Sequence, residues 1–355
     1  MEIDDERYPL VDDIGSFPLP DYADEIQFKK FYWNCYRAIT RGFIDKMRNN
    51  RGVNGNVIIP IEDSFALKLE SGLDIATYPR HWDMHTPFIK PIKEYEEEPY
   101  RIQPDKARVI EMEILRQSAK EYYENTGRKL RVRCCITGAL ELYLNEHGFS
   151  VYKDIAMNLA DSINTFAKNA IFNTKYMETP VLSIDEPSIG IVSYTGIDDA
   201  DITEILSRES RDLDAEVHIH LHEVNKAQIA LNCDNIDVLT VEYANDQTHV
   251  IDKHRLEVYD KYIRVGICRT NLDYLIAQKI ESGANPRQFD SIDCIRQMID
   301  SKDRIKNRLR ESLSRYDDRL KYVGPDCGLI SWQYQDVAFD LLRRVVDSVK
   351  EIKST

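Results

Sequence analysis

Val217-His218-Ile219-His220-Leu221-His222 alternates apolar residues with histidines. A strand sends successive side chains to opposite faces, so Val217, Ile219 and Leu221 share one apolar face while His218, His220 and His222 line the other. Residues two apart on a strand lie about 7 Å apart at their α carbons, and imidazoles reaching from there can converge on one ion with nitrogen bonds of about 2.0 Å. A lone histidine is more often a satisfied core or surface residue. Three on one face, followed by an acid in Thr240-Val241-Glu242 and a thiol in Gly324-Pro325-Asp326-Cys327-Gly328, point to a metal site.

Working outward from this strand, short apolar runs rich in β-branched residues recur between longer amphipathic stretches. They lie near residues 10–14, 73–77, 130–136, 180–184, 216–221, 236–241, 262–267 and 320–324. Eight strands alternating with helices predict an α/β fold, a closed (β/α)8 TIM barrel, as a single domain over residues 1–355. Among the helices, one is expected to start at Pro104, with Ala107, Ile110, Ile114 and Tyr122 on a stripe and Gly127 beyond its end. A second is expected to be capped by Ser150 and to bury Ile155, Leu159, Ile163, Phe166 and Ala170; the last buries Val337, Leu341, Val345 and Val349. The charged segment Lys93 to Glu98 reads as a solvated loop.

Composition narrows the function. Of 355 residues 43% are hydrophobic, enough for a packed interior, and the formal charge of −14 argues against a nucleic-acid or anionic-membrane surface, either of which needs a basic field. A small molecule or a protein is the expected partner. The start, Met1 to Arg7, is acidic where a secretion signal would be basic, and no run approaches a membrane span, so the expected compartment is the cytoplasm. The seven cysteines form no CxxC pair or dense framework and are expected to be reduced and mostly buried.

In a barrel, reactive residues sit where strands end and the following loops begin. His220 and His222 end the fifth predicted strand, Glu242 the sixth and Asp185 the fourth, while Cys327 follows the eighth and Gly15-Ser16 the first. All fall on one rim. Taken singly, Cys327 reads as a buried thiol in a turn, Glu242 as a rim salt-bridge acid and Asp185-Glu186-Pro187 as a strand end before a turn.

The motifs Ile14-Gly15-Ser16-Phe17-Pro18, Ile136-Thr137-Gly138, Ile184-Asp185-Glu186-Pro187, the His-x-His-x-His strand, Val241-Glu242 and Pro325-Asp326-Cys327-Gly328 span nearly the whole chain. In this order the chain resembles the catalytic barrel of the cobalamin-independent methionine synthases, in its short archaeal-type form, within the uroporphyrinogen decarboxylase-like superfamily. The resemblance implies a zinc enzyme that methylates homocysteine to methionine. Carried over, it makes His220, Glu242 and Cys327 catalytic zinc ligands and places His222 where the family has a fourth ligand, a cysteine. It sets His218 beside the metal, assigns Asp185 to the amino group of homocysteine, and assigns the backbone of Ile14, Gly15 and Ser16 to its carboxylate. On zinc the acceptor thiol is deprotonated and attacks an electrophilic methyl group.

Two departures qualify that expectation. Neutral His222 in place of a cysteine makes the formal site charge zero rather than −1, which weakens the thiolate as a nucleophile and favours an activated donor. A methylcorrinoid, free or on a corrinoid protein, is therefore the expected donor, with a methylated tetrahydropterin as the alternative. Where the family has a glutamate that helps hold the amino group, this chain has Tyr78-Pro79-Arg80. Arg80 either pairs with a rim acid such as Asp83 or meets the carboxylate or sulfonate of a different small thiol, such as coenzyme M. The rival readings are a corrinoid-linked methyltransferase for another small thiol such as coenzyme M, a metal-free decarboxylase of the same superfamily, a metal-dependent hydrolase, and a non-catalytic corrinoid- or thiol-binding partner protein.

Overall fold

In the computed structural model of the chain, which describes residues 8–354, all eight predicted strands form and join in one parallel sheet. They are β1 (Leu10–Val11), β2 (Ala76–Thr77), β3 (Leu130–Thr137), β4 (Val181–Asp185), β5 (Glu216–His220), β6 (Val238–Val241), β7 (Tyr262–Cys268) and β8 (Leu320–Pro325). The sheet runs β1-β8-β7-β6-β5-β4-β3-β2, and the parallel bridges Asp12 to Ile75 and Ser16 to Arg80 bring its two ends together as a (β/α)8 barrel. The acidic start Met1 to Arg7 lies outside the described residues. No described helix is long and apolar enough to cross a membrane.

The alternation that predicted the strands also sorts the interior. Val132, Cys134, Ile136, Leu182, Ile184, Val217, Ile219, Leu239 and Val241 join the large apolar core that includes the surrounding helices. Their neighbours turn into the barrel. A small separate cluster of Ile75, Val181, Val238 and Tyr322, flanked by Leu10 and Tyr262, plugs its lower end. Above that plug the lumen is charged: Asp12 pairs with Arg133 and with Arg264, whose Nε lies 2.6 Å from Asp12 Oδ1, and all three are fully buried.

Several element boundaries differ from the sequence expectation, each for a local reason. β1 and β2 have two residues apiece because Asp13 bonds to backbone in place of a longer ladder, accepting from Thr77 N (2.8 Å) and Gly15 N (3.1 Å). The helix expected from Pro104 begins at Ile110; Pro104 opens a turn closed by Lys106 N to Gln103 O, and Gly127 caps the far end in the left-handed conformation as expected. Ser150 is no cap: it bridges Thr195, and the helix is Lys153–Ala170. The charged segment is no simple loop either, since Lys93 and Glu94 end the helix Thr86–Glu94 and Glu96–Glu98 pairs with Arg101–Ile102. The last helix, Gln335–Lys353, buries Val337, Leu341, Val345 and Val349 as predicted.

Burying two guanidiniums around one carboxylate is expensive in itself, so removing the carboxylate leaves two uncompensated cations. Asp12→Asn is expected to cost about 3–5 kcal/mol of stability, read from urea unfolding. A loss under about 1 kcal/mol would show that Arg133 and Arg264 find other partners.

Candidate metal centre

Parallel pairing fixes the mouth of the barrel. Asp185, the last residue of β4, is in register with Thr137 on β3 and with His220, the last residue of β5, and His220 is in register with Thr240 on β6. Glu242 follows the end of β6, and Cys327 lies two residues past β8. His222 lies two residues beyond β5, which ends at His220 rather than continuing to residue 221.

Four side chains thereby meet. His220, His222, Glu242 and Cys327 are, among the described residues, a group whose ligand atoms all lie within 4.8 Å of one another. Glu242 Oε1 is 3.3 Å from His220 Nε2 and 3.4 Å from His222 Nε2, and Cys327 Sγ is 3.9 Å from His222 Nε2. Around zinc with nitrogen and oxygen bonds of about 2.0–2.1 Å, the edges of a tetrahedron measure about 3.3–3.4 Å, and edges to sulfur are longer. Two of these separations match such edges and the Cys327 to His222 distance is close to one, so small side-chain shifts would bring the four donors onto one ion. His220 Nε2 and Glu242 Oε1 are buried, close, and each without a hydrogen-bond partner. Orphaned polar atoms of this kind are rare, and a cation between them would satisfy both.

Electrostatics favour the same occupant. Burial pushes His220 down to about 4, assisted by the guanidiniums of Arg264 and Arg133 below it, so its imidazole is neutral at physiological pH. Burial also lowers His222, with neighbouring His220 adding to the effect. The acids move the other way: burial raises Glu242, and burial with the nearby Glu242 charge raises Cys327 well above the usual thiol range. With no cation the pocket suppresses its own negative charge. A divalent ion reverses that balance, taking neutral imidazoles, a carboxylate and a thiolate as ligands.

The other predicted residues occupy distinct places. Ile14, Ser16, Arg80 and Asp185 line the same cavity as His220, His222 and Cys327, about 240 Å³ in volume. Gly15 is not among its lining residues; it has φ +121°, and a Cβ there would meet Thr77 Cγ2 at 2.8 Å and Cys135 Sγ at 2.9 Å, so only glycine fits. His218 lies outside the four-donor group, bonded to Glu216 through Nε2 (2.9 Å) with its ring against Tyr322. Asp185 accepts from Ser183 Oγ (3.2 Å), and its Oδ1 is 3.9 Å from His220 Nδ1, behind the ring whose Nε2 faces the cluster. Arg80 faces Asp185 (3.4 Å) and not Asp83, which instead accepts from the N–H groups of His85 (2.9 Å) and Thr86 (2.7 Å) at a helix start.

Several supporting residues, some of them inside the quoted motifs, were assigned no site role from the sequence. Trp82, Met84, Pro187 and Ile330 form apolar parts of the cavity wall; their signal was position alone, in loops that follow strands. Asp326 is buried and accepts from Ala244 N (3.0 Å), tying the Cys327 turn to the loop that carries Glu242. Thr270 accepts from Cys327 N (3.1 Å) and fixes the same turn from the β7 side. Glu186 is a helix cap: its carboxylate takes the N–H groups of Leu140 (2.8 Å) and Glu141 (2.9 Å), while Glu209 takes that of Ala139 (2.9 Å). Gly138 is the price of that approach, since a Cβ would lie 2.2 Å from Glu186 Oε1.

No family model matches the chain, and no curated protein sequence matches it. Among solved structures it is similar to a B12-independent methionine synthase from Shewanella sp. W3-18-1 in complex with selenomethionine. That likeness has 15% identity and a TM-score of 0.62 over 98% of each chain, which supports the barrel fold. A GH113 beta-1,4-mannanase is a more distant structural match, at 10% identity and a TM-score of 0.42 over 96% of this chain and 99% of that one.

Two outcomes are expected. After zinc loading and dialysis the wild type should hold about one ion per chain, and Cys327→Ser or His220→Ala should hold far less with the circular dichroism of the barrel unchanged; equal zinc in all three would refute the donor set. The second concerns Glu186 and Glu209, both raised by burial, Glu209 to about 8, while an unfolded glutamate titrates near 4.5. A folded value above the unfolded one means full stabilisation below about pH 4.5 and progressive loss up to about pH 8. Glu209→Gln should flatten the decline in urea midpoint across that window, and an unchanged slope would show that the pair is not its source.

Proposed function

We propose that the chain is a zinc-dependent methyltransferase that transfers a methyl group to a small thiol at the barrel mouth, with homocysteine as the first acceptor to test and methionine as its product. The observation that supports this most strongly is the quartet His220, His222, Glu242 and Cys327, two of whose buried atoms lack partners, with His220, His222 and Cys327 lining a cavity large enough for a short thiol. In this reading residues 1–355 act as one catalytic barrel in the cytoplasm.

When bound, zinc supplies a thiolate nucleophile from a thiol that would otherwise be mostly protonated at neutral pH, its free pKa being about 8.5. The chain's own groups prepare for that. His220 and His222 are held neutral by burial, so both offer lone pairs. Asp185 stands behind His220 at 3.9 Å from Nδ1, too far for a hydrogen bond but on the side from which a carboxylate orients a ligating imidazole. Arg133 and Arg264, buried below His220, add positive potential that favours an anionic sulfur. Ile14, Trp82, Met84 and Ile330 give the acceptor's carbon chain an apolar wall.

The donor follows from charge. Two anionic and two neutral ligands give the bound site a formal charge of zero, and a less electron-rich thiolate requires a better leaving group. A reduced corrinoid leaves more readily than a tetrahydropterin nitrogen, so the proposed donor is a methylcorrinoid, free or carried on a corrinoid protein.

The test compares methylcobalamin, methyltetrahydrofolate and methyltetrahydromethanopterin at equal concentration, following the methylated thiol. Methylcobalamin should be fastest, metal-stripped protein and Cys327→Ala inactive, and His222→Cys zinc-loaded with turnover no lower than wild type. Faster transfer from either pterin would overturn the donor assignment. Full activity without metal would overturn the mechanism.

A further inference from the structure

Arg80 brings to the cavity a cation that its neighbours serve poorly. It enters from the loop after β2, is 8% exposed, and lines the same space as His220, His222 and Cys327. Its Nη1 lies 3.4 Å from Asp185 Oδ2, well beyond the charge-assisted optimum of about 2.7–2.9 Å. Its Nε is buried with no partner at all. A guanidinium carries five donors in a fixed fork, and burying it so weakly bonded is costly unless something else completes the set. Its backbone is held on both sides, Arg80 N donating to Gly15 O (3.3 Å) and Arg80 O accepting from Phe17 N (3.1 Å).

The nearby acids complete little of that set. Asp185 Oδ1 accepts from Ser183, and its Oδ2 faces Arg80 at 3.4 Å, so an incoming ammonium would meet this carboxylate with a fixed cation beside it. Asp83 caps a helix. Glu111, the buried acid on the far side of Arg80, lies 3.4 Å from the Tyr32 hydroxyl, and burial raises it to about 7, which limits the counter-charge it offers. The unmet donors of Arg80 therefore favour an anion arriving with the ligand.

We infer that the acceptor is a short thiol bearing a carboxylate or sulfonate, that Arg80 binds this anion through its guanidinium fork, and that an ammonium group on the acceptor is dispensable. This rests on the proposed thiol methylation, because it is sulfur at the metal that would place the rest of the acceptor beside Arg80. Asp185 then serves as a positioning residue for His220 and Arg80 and not as the ammonium site that family resemblance implies.

Calorimetric titration of the zinc-loaded protein tests this without requiring turnover. The ligands are mercaptobutyrate, which is homocysteine without its amine, homocysteine itself, mercaptopropylamine and uncharged mercaptopropanol. Mercaptobutyrate should bind at least as tightly as homocysteine, and mercaptopropylamine about tenfold or more weakly. Arg80→Gln should weaken mercaptobutyrate by about tenfold or more and leave mercaptopropanol unchanged, with Arg80→Lys in between because charge survives and the fork does not. Homocysteine binding about tenfold tighter than mercaptobutyrate would overturn the inference, as would an Arg80→Gln variant that weakens all thiols equally or none. If the variants fail to fold, the wild-type ligand series still decides. Failure of mercaptopropanol to bind the wild type marks failure of the thiol-methylation reading itself, and of this inference with it.

Discussion

Parallel register is the constraint from which the site follows. Because the β3, β4, β5 and β6 neighbours are locked Thr137 to Asp185, Asp185 to His220 and His220 to Thr240, residues more than a hundred positions apart end at one height in one ring. A slip of one residue in β5 would carry His218 and His220 into the helix layer and bring Val217 and Ile219 into the lumen. The burial of Val217 and Ile219 among helices therefore specifies the polar mouth as firmly as any contact within it.

The second controlling feature is how charge is distributed along the lumen. Below lie an apolar plug and then two arginines sharing one aspartate; above them sit two neutral histidines, a carboxylate and a thiol. Each of the upper four is shifted toward its uncharged form, chiefly by burial. A stable fold gains nothing from collecting such groups. They make physical sense as the ligand shell of a cation, and under the proposed thiol methylation the two arginines beneath them favour an anionic sulfur.

Much of this was legible in the chain. Runs such as Leu130–Thr137 and Tyr262–Cys268 are β-branched or apolar at alternate positions and bounded by turn residues, so strands emerged from period alone. The three histidines declared a polar strand face for the same reason, and the rim argument brought Glu242 and Cys327 to them. What stayed hidden depends on distance through space. The contact of Arg80 with Asp185 spans 105 residues, and the capping of Leu140 and Glu141 by Glu186 runs from the loop after one strand to the first turn of the helix after another. Pro104 and Ser150 misled because each carries a helix-start signal that another contact overrides: a local turn closed by Lys106 N to Gln103 O in one case, long-range pairing with Thr195 in the other.

The most direct test of the metal centre is X-ray absorption of the zinc-loaded protein. Ligation by Cys327, His220, His222 and Glu242 predicts one sulfur at about 2.3 Å and three nitrogen or oxygen neighbours at about 2.0–2.2 Å, with the imidazole scattering of two histidines. A shell without sulfur, or one with two sulfurs, would contradict the account.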